Sequence, residues 1–174
     1  MPVKVLPNNL EAEESVLGAC FLSKNALQKA TESLTPESFY NEKNGKIFST
    51  MTSLLEEKTP IDITTVTSYL KNRNELTEVG GVEYLTEVLN YVPTASNVDF
   101  YIKSVEESSL LRSLIETATE IASEGYRTDE TVNEILDNSE KKILSIVKNR
   151  KASEFRSIKD VLAKTQQDLE RLSE

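Results

Sequence analysis

The chain has 174 residues, 28% charged and 38% hydrophobic, with one cysteine and no histidine. That is enough chain for one domain with a real core, and the balance excludes a disordered polyelectrolyte. The cysteine and histidine counts exclude an internal disulfide, a Cys/His zinc site and histidine-dependent catalysis, the serine and cysteine triads included. No apolar run approaches the roughly 20 residues that span a bilayer. The first fourteen residues turn acidic too early for a signal peptide, so the expected location is cytoplasmic. The charge is uneven: residues 1–147 carry 13 Lys and Arg against 24 Asp and Glu, net −11, and residues 148–174 carry 7 against 5, net +2. An acidic body repels phosphate, so weak or no direct DNA binding is expected.

The local signals are nearly all helical. Asn8-Asn9 offers an N-cap, and Glu11, Glu13 and Glu14 follow in the first turn, where acids suit the positive end of the helix dipole. Leu10, Val16, Leu17, Cys20 and Phe21 supply that helix's apolar stripe, so Cys20 reads as a core thiol. Ser23 caps a short helix with Ala26, Leu27 and Ala30 inward. Thr35-Pro36-Glu37 is an N-cap with proline at the first helical position, opening a turn that carries Phe39 and Tyr40. Ile47, Phe48, Met51, Leu54 and Leu55 recur at helical spacing up to Thr59-Pro60. Asp62 caps the next helix, with Ile63, Val66, Tyr69 and Leu70 inward. Its threonines make a strand the competing reading for residues 61–69, but the entry signal and the period favour helix. Gly80-Gly81 marks a break before a helix from Val82 to Tyr91.

Beyond Pro93 the pattern changes. A long helix starts at Ser96-Asn97 and runs to about Glu124, with a narrow stripe of Leu111, Leu114, Ile115, Ala118, Ile121 and Ala122. Gly125 ends it, Thr128 or Asp129 caps its successor, and Val132, Ile135, Leu136, Ile143, Ile146 and Val147 repeat the stripe. Two long helices with a short connection read as an antiparallel hairpin. Two helices facing only each other leave apolar edges bare, which points to a second partner such as another subunit. Residues 148–156 read as a polar linker interrupted by Phe155. Ser157 to Asp160 then resembles a capping box, and Ile158, Val161, Leu162, Leu169 and Leu172 line one side of a last helix. That helix either docks outside this chain or folds back on the hairpin. The expected fold class is thus all-α: a globular helical domain at 1–98, a helical hairpin at 99–148, and a linker with a docking helix at 149–174. The abrupt end at Leu172-Ser173-Glu174 suggests a piece of a longer protein.

Catalytic motifs are missing. Gly45-Lys46 is followed by Ile47, and Tyr40 stands where a phosphate-binding loop needs its first glycine, so no ATP hydrolysis is expected of this chain. The clustered acids Glu11/Glu13/Glu14, Glu56/Glu57 and Glu106/Glu107 are neighbours along helices rather than pairs across a cleft. They read as solvated faces and dipole partners. The tyrosines mostly neighbour acids or core residues, not the basic side chains that nucleic-acid binding requires.

Several segments, in order, resemble the N-terminal domain of bacterial DnaB-type replicative helicases. They are Leu6 to Gly18; Phe39-Tyr40 with Ile47-Phe48; Pro60 to Asp62 with Thr65-Val66; Gly80 to Leu85; Pro93 to Asn97; Tyr101 to Val105; Leu111 to Ile115; and Ile158 to Leu162. Asn44 departs from the pattern, near where the family often has a histidine. The resemblance implies a collar module for DNA replication: a helical globule and a hairpin whose pairing builds a dimer, a trimer of dimers and a hexameric ring. It also implies a linker helix that docks on the neighbouring subunit's motor domain. ATP and Mg belong to that motor domain, so no cofactor is implied here. The collar of the family also binds the helicase-binding domain of DnaG-type primase, and the positions this implies are Glu11, Tyr84, Ile115 and Ile121. Pairing falls to Leu111, Leu114, Ala118, Ile135 and Ile143, and docking of the last helix to Ile158, Val161, Leu162 and Leu169. The rival reading is an unrelated helical adaptor that binds one protein as a monomer.

Overall fold

The computed structural model describes residues 4–127 and 129–173, without the side chains of 151–157 and 160. It is all-helical, with no strand among the described residues. The elements are α1 (Leu10–Leu22), α2 (Lys24–Ser33), a 3-10 turn (Pro36–Ser38), α3 (Glu42–Glu56), α4 (Ile63–Asn72), α5 (Gly81–Leu89), α6 (Val98–Glu124) and α7 (Val132–Ser173). The chain divides within α6 into two compact units, one up to Ser109 and one from Leu110.

In the first unit α1 is the central element. It packs against α2, α3 and α5, while α4 bridges α3 and α5. Val16, Leu17 and Ala19 are fully buried on α1, and even Glu13 and Ser15 are nearly so. A helix covered on most of its sides carries little amphipathic contrast, and α1 reads that way. Around it lie Leu27 of α2, Ile47, Phe48 and Met51 of α3, Val66 and Leu70 of α4, and Leu85 and Val88 of α5. The start of α6 joins this core through Val98, Ile102 and Val105. Leu10, expected to point inward, is 40% exposed, because it occupies the first helical position, where α1 emerges from the core.

Caps mark the helix starts. Asn9 accepts from Ala12 N at 3.0 Å and donates through Nδ2 to Ser104 Oγ at 2.8 Å, so α1's cap also holds α6. Ser23 caps α2, and Asp62 forms a reciprocal capping box with Thr65, which settles residues 63–72 as helix rather than strand. Close packing decides Gly18: a Cβ there would lie 2.7 Å from the Val88 carbonyl oxygen and 3.0 Å from Val92 Cγ2. The missing side chain therefore sets how near α1 comes to the end of α5 and the residues after it.

In the second unit the α6 arm from Leu110 and the start of α7 form a hairpin. Lys142 joins Glu124 and lies 3.3 Å from Glu120, on the preceding turn of the opposite arm. The cap of α7 is Thr131: Glu134 N donates to its Oγ1, and Thr131 N donates back to the Glu134 carboxylate. This corrects the expected cap at Asp129; Thr128 lies outside the described residues. The Thr-x-x-Glu spacing makes the reason plain, since it satisfies two orphan N–H groups reciprocally. α7 then continues unbroken through residues 148–156, where the sequence suggested a linker. That stretch is polar but has neither proline nor glycine, so nothing in it breaks a helix. The side chains of Phe155, Ser157 and Asp160 lie outside the described residues.

Gly18→Val should lower the stability of the first unit by about 1–3 kcal/mol, the usual cost of overpacking. Chemical denaturation followed by circular dichroism checks it; an unchanged midpoint would show that α1 and α5 have room to separate.

Candidate functional site

The densest polar cluster in the first unit is built on Glu13. At the sequence level its carboxylate reads as solvated, but it is 1% exposed. The correction follows from helix geometry: Glu13 shares a face with Val16, Leu17 and Cys20, and that face enters the core. A buried carboxylate persists only when hydrogen-bonded. Here Tyr40 N donates to Oε2 at 2.9 Å, Asn41 N donates to Oε1 at 3.2 Å, and Asn44 Nδ2 donates to Oε1 at 3.1 Å. The donors sit where α3 begins, so the anion also meets the positive end of that helix. Asn41 caps α3 itself, accepting from Lys43 N at 3.0 Å, and Glu13 holds the two N–H groups just before the helix from α1.

Asn44, on the first turn of α3, is itself fully buried. Its Oδ1 accepts from the Tyr84 hydroxyl at 2.6 Å, and that hydroxyl also lies 3.4 Å from Glu14 Oε1. The Lys43 ammonium stands 5.6 Å from the centre of the Tyr84 ring. Burial, then the Glu14 charge, holds the Tyr84 hydroxyl well above its ordinary ionisation range. Gly80, the residue before α5, has φ +94°, and a Cβ there would lie 2.8 Å from Tyr84 Cβ. The glycine thus makes room for Tyr84 as well as for the turn. Beside this cluster an open cleft of about 670 Å3 is lined by Leu10, Tyr40, Asn41, Glu42, Lys43, Lys46 and Glu78, with Lys46 and Glu78 paired.

The four positions implied in primase docking divide between the units. Glu11 is exposed on the first turn of α1, and Tyr84 is half-buried with its hydroxyl turned inward. Ile115 and Ile121 lie on the α6 arm, Ile115 exposed and Ile121 half-buried. Among the pairing positions, Leu111, Leu114, Ala118 and Ile143 are exposed and Ile135 is half-buried. Leu144 and Val147 extend the exposed apolar surface of α7. The α6 arm from Leu110 has about a third of α7's length, so α7 outruns it. In the part beyond, Ile158, Val161, Leu162 and Leu169 are exposed by 58–63%.

Cys20 lies in the core, where burial pushes its thiol far above the usual range. Among the described residues no group of His, Cys, Asp or Glu side chains is placed to hold a metal ion, and no helix is long and apolar enough to cross a membrane. What the arrangement supplies is a rigid polar lock under one aromatic side chain and, in the second unit, an apolar surface that one chain leaves uncovered.

The model of the DnaB-like helicase N-terminal domain matches residues 5–107. The chain belongs to that family. It is 46% identical over 166 residues to the replicative DNA helicase DnaC of Bacillus subtilis, covering 95% of this chain and 37% of that relative. The chain therefore spans little more than a third of that relative's length. The crystal structure of the N-terminal domain of DnaB helicase from Mycobacterium tuberculosis superposes with a TM-score of 0.77 at 34% identity, over 82% of this chain and 99% of that one. A solved DnaB-like replicative helicase, described together with its interactions with primase, superposes with a TM-score of 0.66 at 25% identity, over 79% of this chain and 31% of that one.

Sequence reasoning noted Asn44 only as a departure from the family pattern, without a role, and misjudged Glu13. The signal for Glu13 was present, since an acid at i with apolar residues at i+3, i+4 and i+7 sits on the core face. Asn44 carried no comparable signal, because its partners come from α1 and α5, remote in sequence.

Two outcomes follow. Glu13→Gln keeps the size but replaces charge-assisted acceptors with an amide that meets N–H donors, and should cost about 1–3 kcal/mol in denaturant unfolding. A stability equal to the parent would mean that the carboxylate is not holding α3. The raised ionisation of Tyr84 has a defined sign: above about pH 10 the unfolded chain loses this proton more readily than the folded one, so stability falls with rising pH. Tyr84→Phe should remove that part of the decline, read as the difference between the two proteins' stability curves from pH 9 to about 11.

Proposed function

We propose that this chain is the collar module of a replicative DNA helicase, which pairs through its hairpin to build the ring and offers a docking surface to primase. The observation that carries the proposal is the apolar surface of the second unit. Leu111, Leu114 and Ile115 on α6, with Ile143, Leu144 and Val147 on α7, remain 38–50% exposed although the arms already meet at Lys142. Fully burying one such side chain contributes about 1.5–3 kcal/mol, so several left half-open favour association. Hairpin pairing in dimers, a trimer of dimers and a hexamer is the assembly this surface suits.

The solved relative described with primase supports the second half of the proposal. Glu11, Tyr84, Ile115 and Ile121 are the positions we assign to it. An exposed carboxylate, an aromatic ring and apolar anchors are the residue types from which such contacts are made. The distal part of α7, with Ile158, Val161, Leu162 and Leu169, is assigned to docking on the neighbouring subunit's motor domain. We place the module in the cytoplasm, with ATP and Mg handled by the motor domain.

Calorimetric titration with the helicase-binding domain of the cognate primase should show saturable binding, at one primase domain per two chains or fewer. Ile115→Asp should weaken pairing or this docking by about tenfold or more while circular dichroism stays helical. An absence of binding at high concentration would confine the chain to ring building. If the substitution unfolds the chain instead, Ile115 is core and its assignment falls.

A further inference from the structure

Tyr84 is held with more constraint than a half-buried tyrosine on a short helix requires. The Glu13 carboxylate only accepts hydrogen bonds, so the Asn44 amide must turn its Nδ2 toward it, at 3.1 Å. That choice leaves Asn44 Oδ1 facing α5, where it accepts the Tyr84 hydroxyl proton at 2.6 Å. The direction of the bonds from Glu13 through Asn44 is therefore set at the Glu13 end, and Glu14 Oε1, 3.4 Å from the hydroxyl, is a longer second acceptor. Glu13 is anchored in turn by two backbone N–H groups at the start of α3. The absent Cβ of Gly80 leaves the space that the base of Tyr84 occupies, and the Lys43 ammonium stands 5.6 Å from the ring centre.

We infer that Asn44, oriented by Glu13, is a positioning residue that fixes the Tyr84 ring in the one orientation presented to the partner. This rests on the reading of Tyr84 as part of the primase-docking surface. Asn44 is fully buried and touches no partner itself. It acts by sparing the ring the entropy of being ordered on docking, as any pre-organised anchor does. A residue that merely fills the core would add its effect to that of Tyr84, whereas one that acts through the hydroxyl would share it.

A double-substitution cycle on the whole chain separates these cases. Parent, Asn44→Ala, Tyr84→Phe and the double variant are titrated calorimetrically with the helicase-binding domain of the primase. Each single variant should bind about three- to tenfold more weakly, the range of one hydrogen bond, and the double variant no more weakly than the poorer single one. Parent-like affinity for Asn44→Ala, or losses that multiply in the double variant, would overturn the inference. If Asn44→Ala does not fold, Asn44→Ser takes its place: its hydroxyl is too short to reach both Glu13 and Tyr84. Spectra of the same four proteins with 13C-labelled tyrosine rings need no primase. The signal missing in Tyr84→Phe identifies Tyr84, and Asn44→Ala should shift it while leaving Tyr69 and Tyr126 in place. If the parent binds no primase but this shift is seen, the docking assignment fails and the positioning stands. If the Tyr84 signal does not move, the positioning inference is wrong whatever the affinities are.

Discussion

The first unit depends on a carboxylate taken out of water. An unpaired buried carboxylate costs more than a small domain has to spare, and Glu13 persists because two backbone N–H groups and one amide meet it at 2.9–3.2 Å. That requirement makes it informative. It fixes where α3 begins relative to α1, and α3 in turn carries Ile47, Phe48 and Met51 into the core. Through Asn44 it also reaches α5. One ion thus ties together three helices that the order of the chain keeps apart.

The two units divide the work in physical terms. In the first, α1 is covered by α2, α3 and α5, and its apolar side chains are spent on stability. In the second, a two-helix hairpin has no third layer, so its Leu, Ile and Val side chains stay partly open. A surface of this kind is a liability for an isolated monomer and an asset for a subunit. The family to which the chain belongs gives that contrast its context: the family model matches residues 5–107, and the chain covers 37% of the Bacillus subtilis replicative helicase it resembles.

The ion pairs contribute less than their number suggests. Lys103 with Glu107 lies largely in solvent, and in the Lys29 pair Asp99 does, so each adds at most about 1 kcal/mol. Lys142 differs in position more than in strength. Bridging Glu120 and Glu124, it sets which residues of α7 face the end of α6, and so the register of the apolar stripes beside it.

The helices and most of their caps are legible along the chain, because these rest on contacts within a few residues. Asn9, Ser23 and Asp62 each bond the backbone three residues on, and the stripes through Leu17, Phe48 and Leu70 repeat at the helical period. The ordered family segments were legible for the same reason, being read along the chain. The roles of Glu13 and Asn44 come from packing alone, since their partners lie 27 to 40 residues away. The fold also decided that α7 runs through the polar stretch at 148–156, because a segment without helix breakers follows whatever its neighbours impose. And it decided which apolar side chains are core and which are open: the same spacing that buries Leu17 leaves Leu114 exposed, according to how many helices surround each.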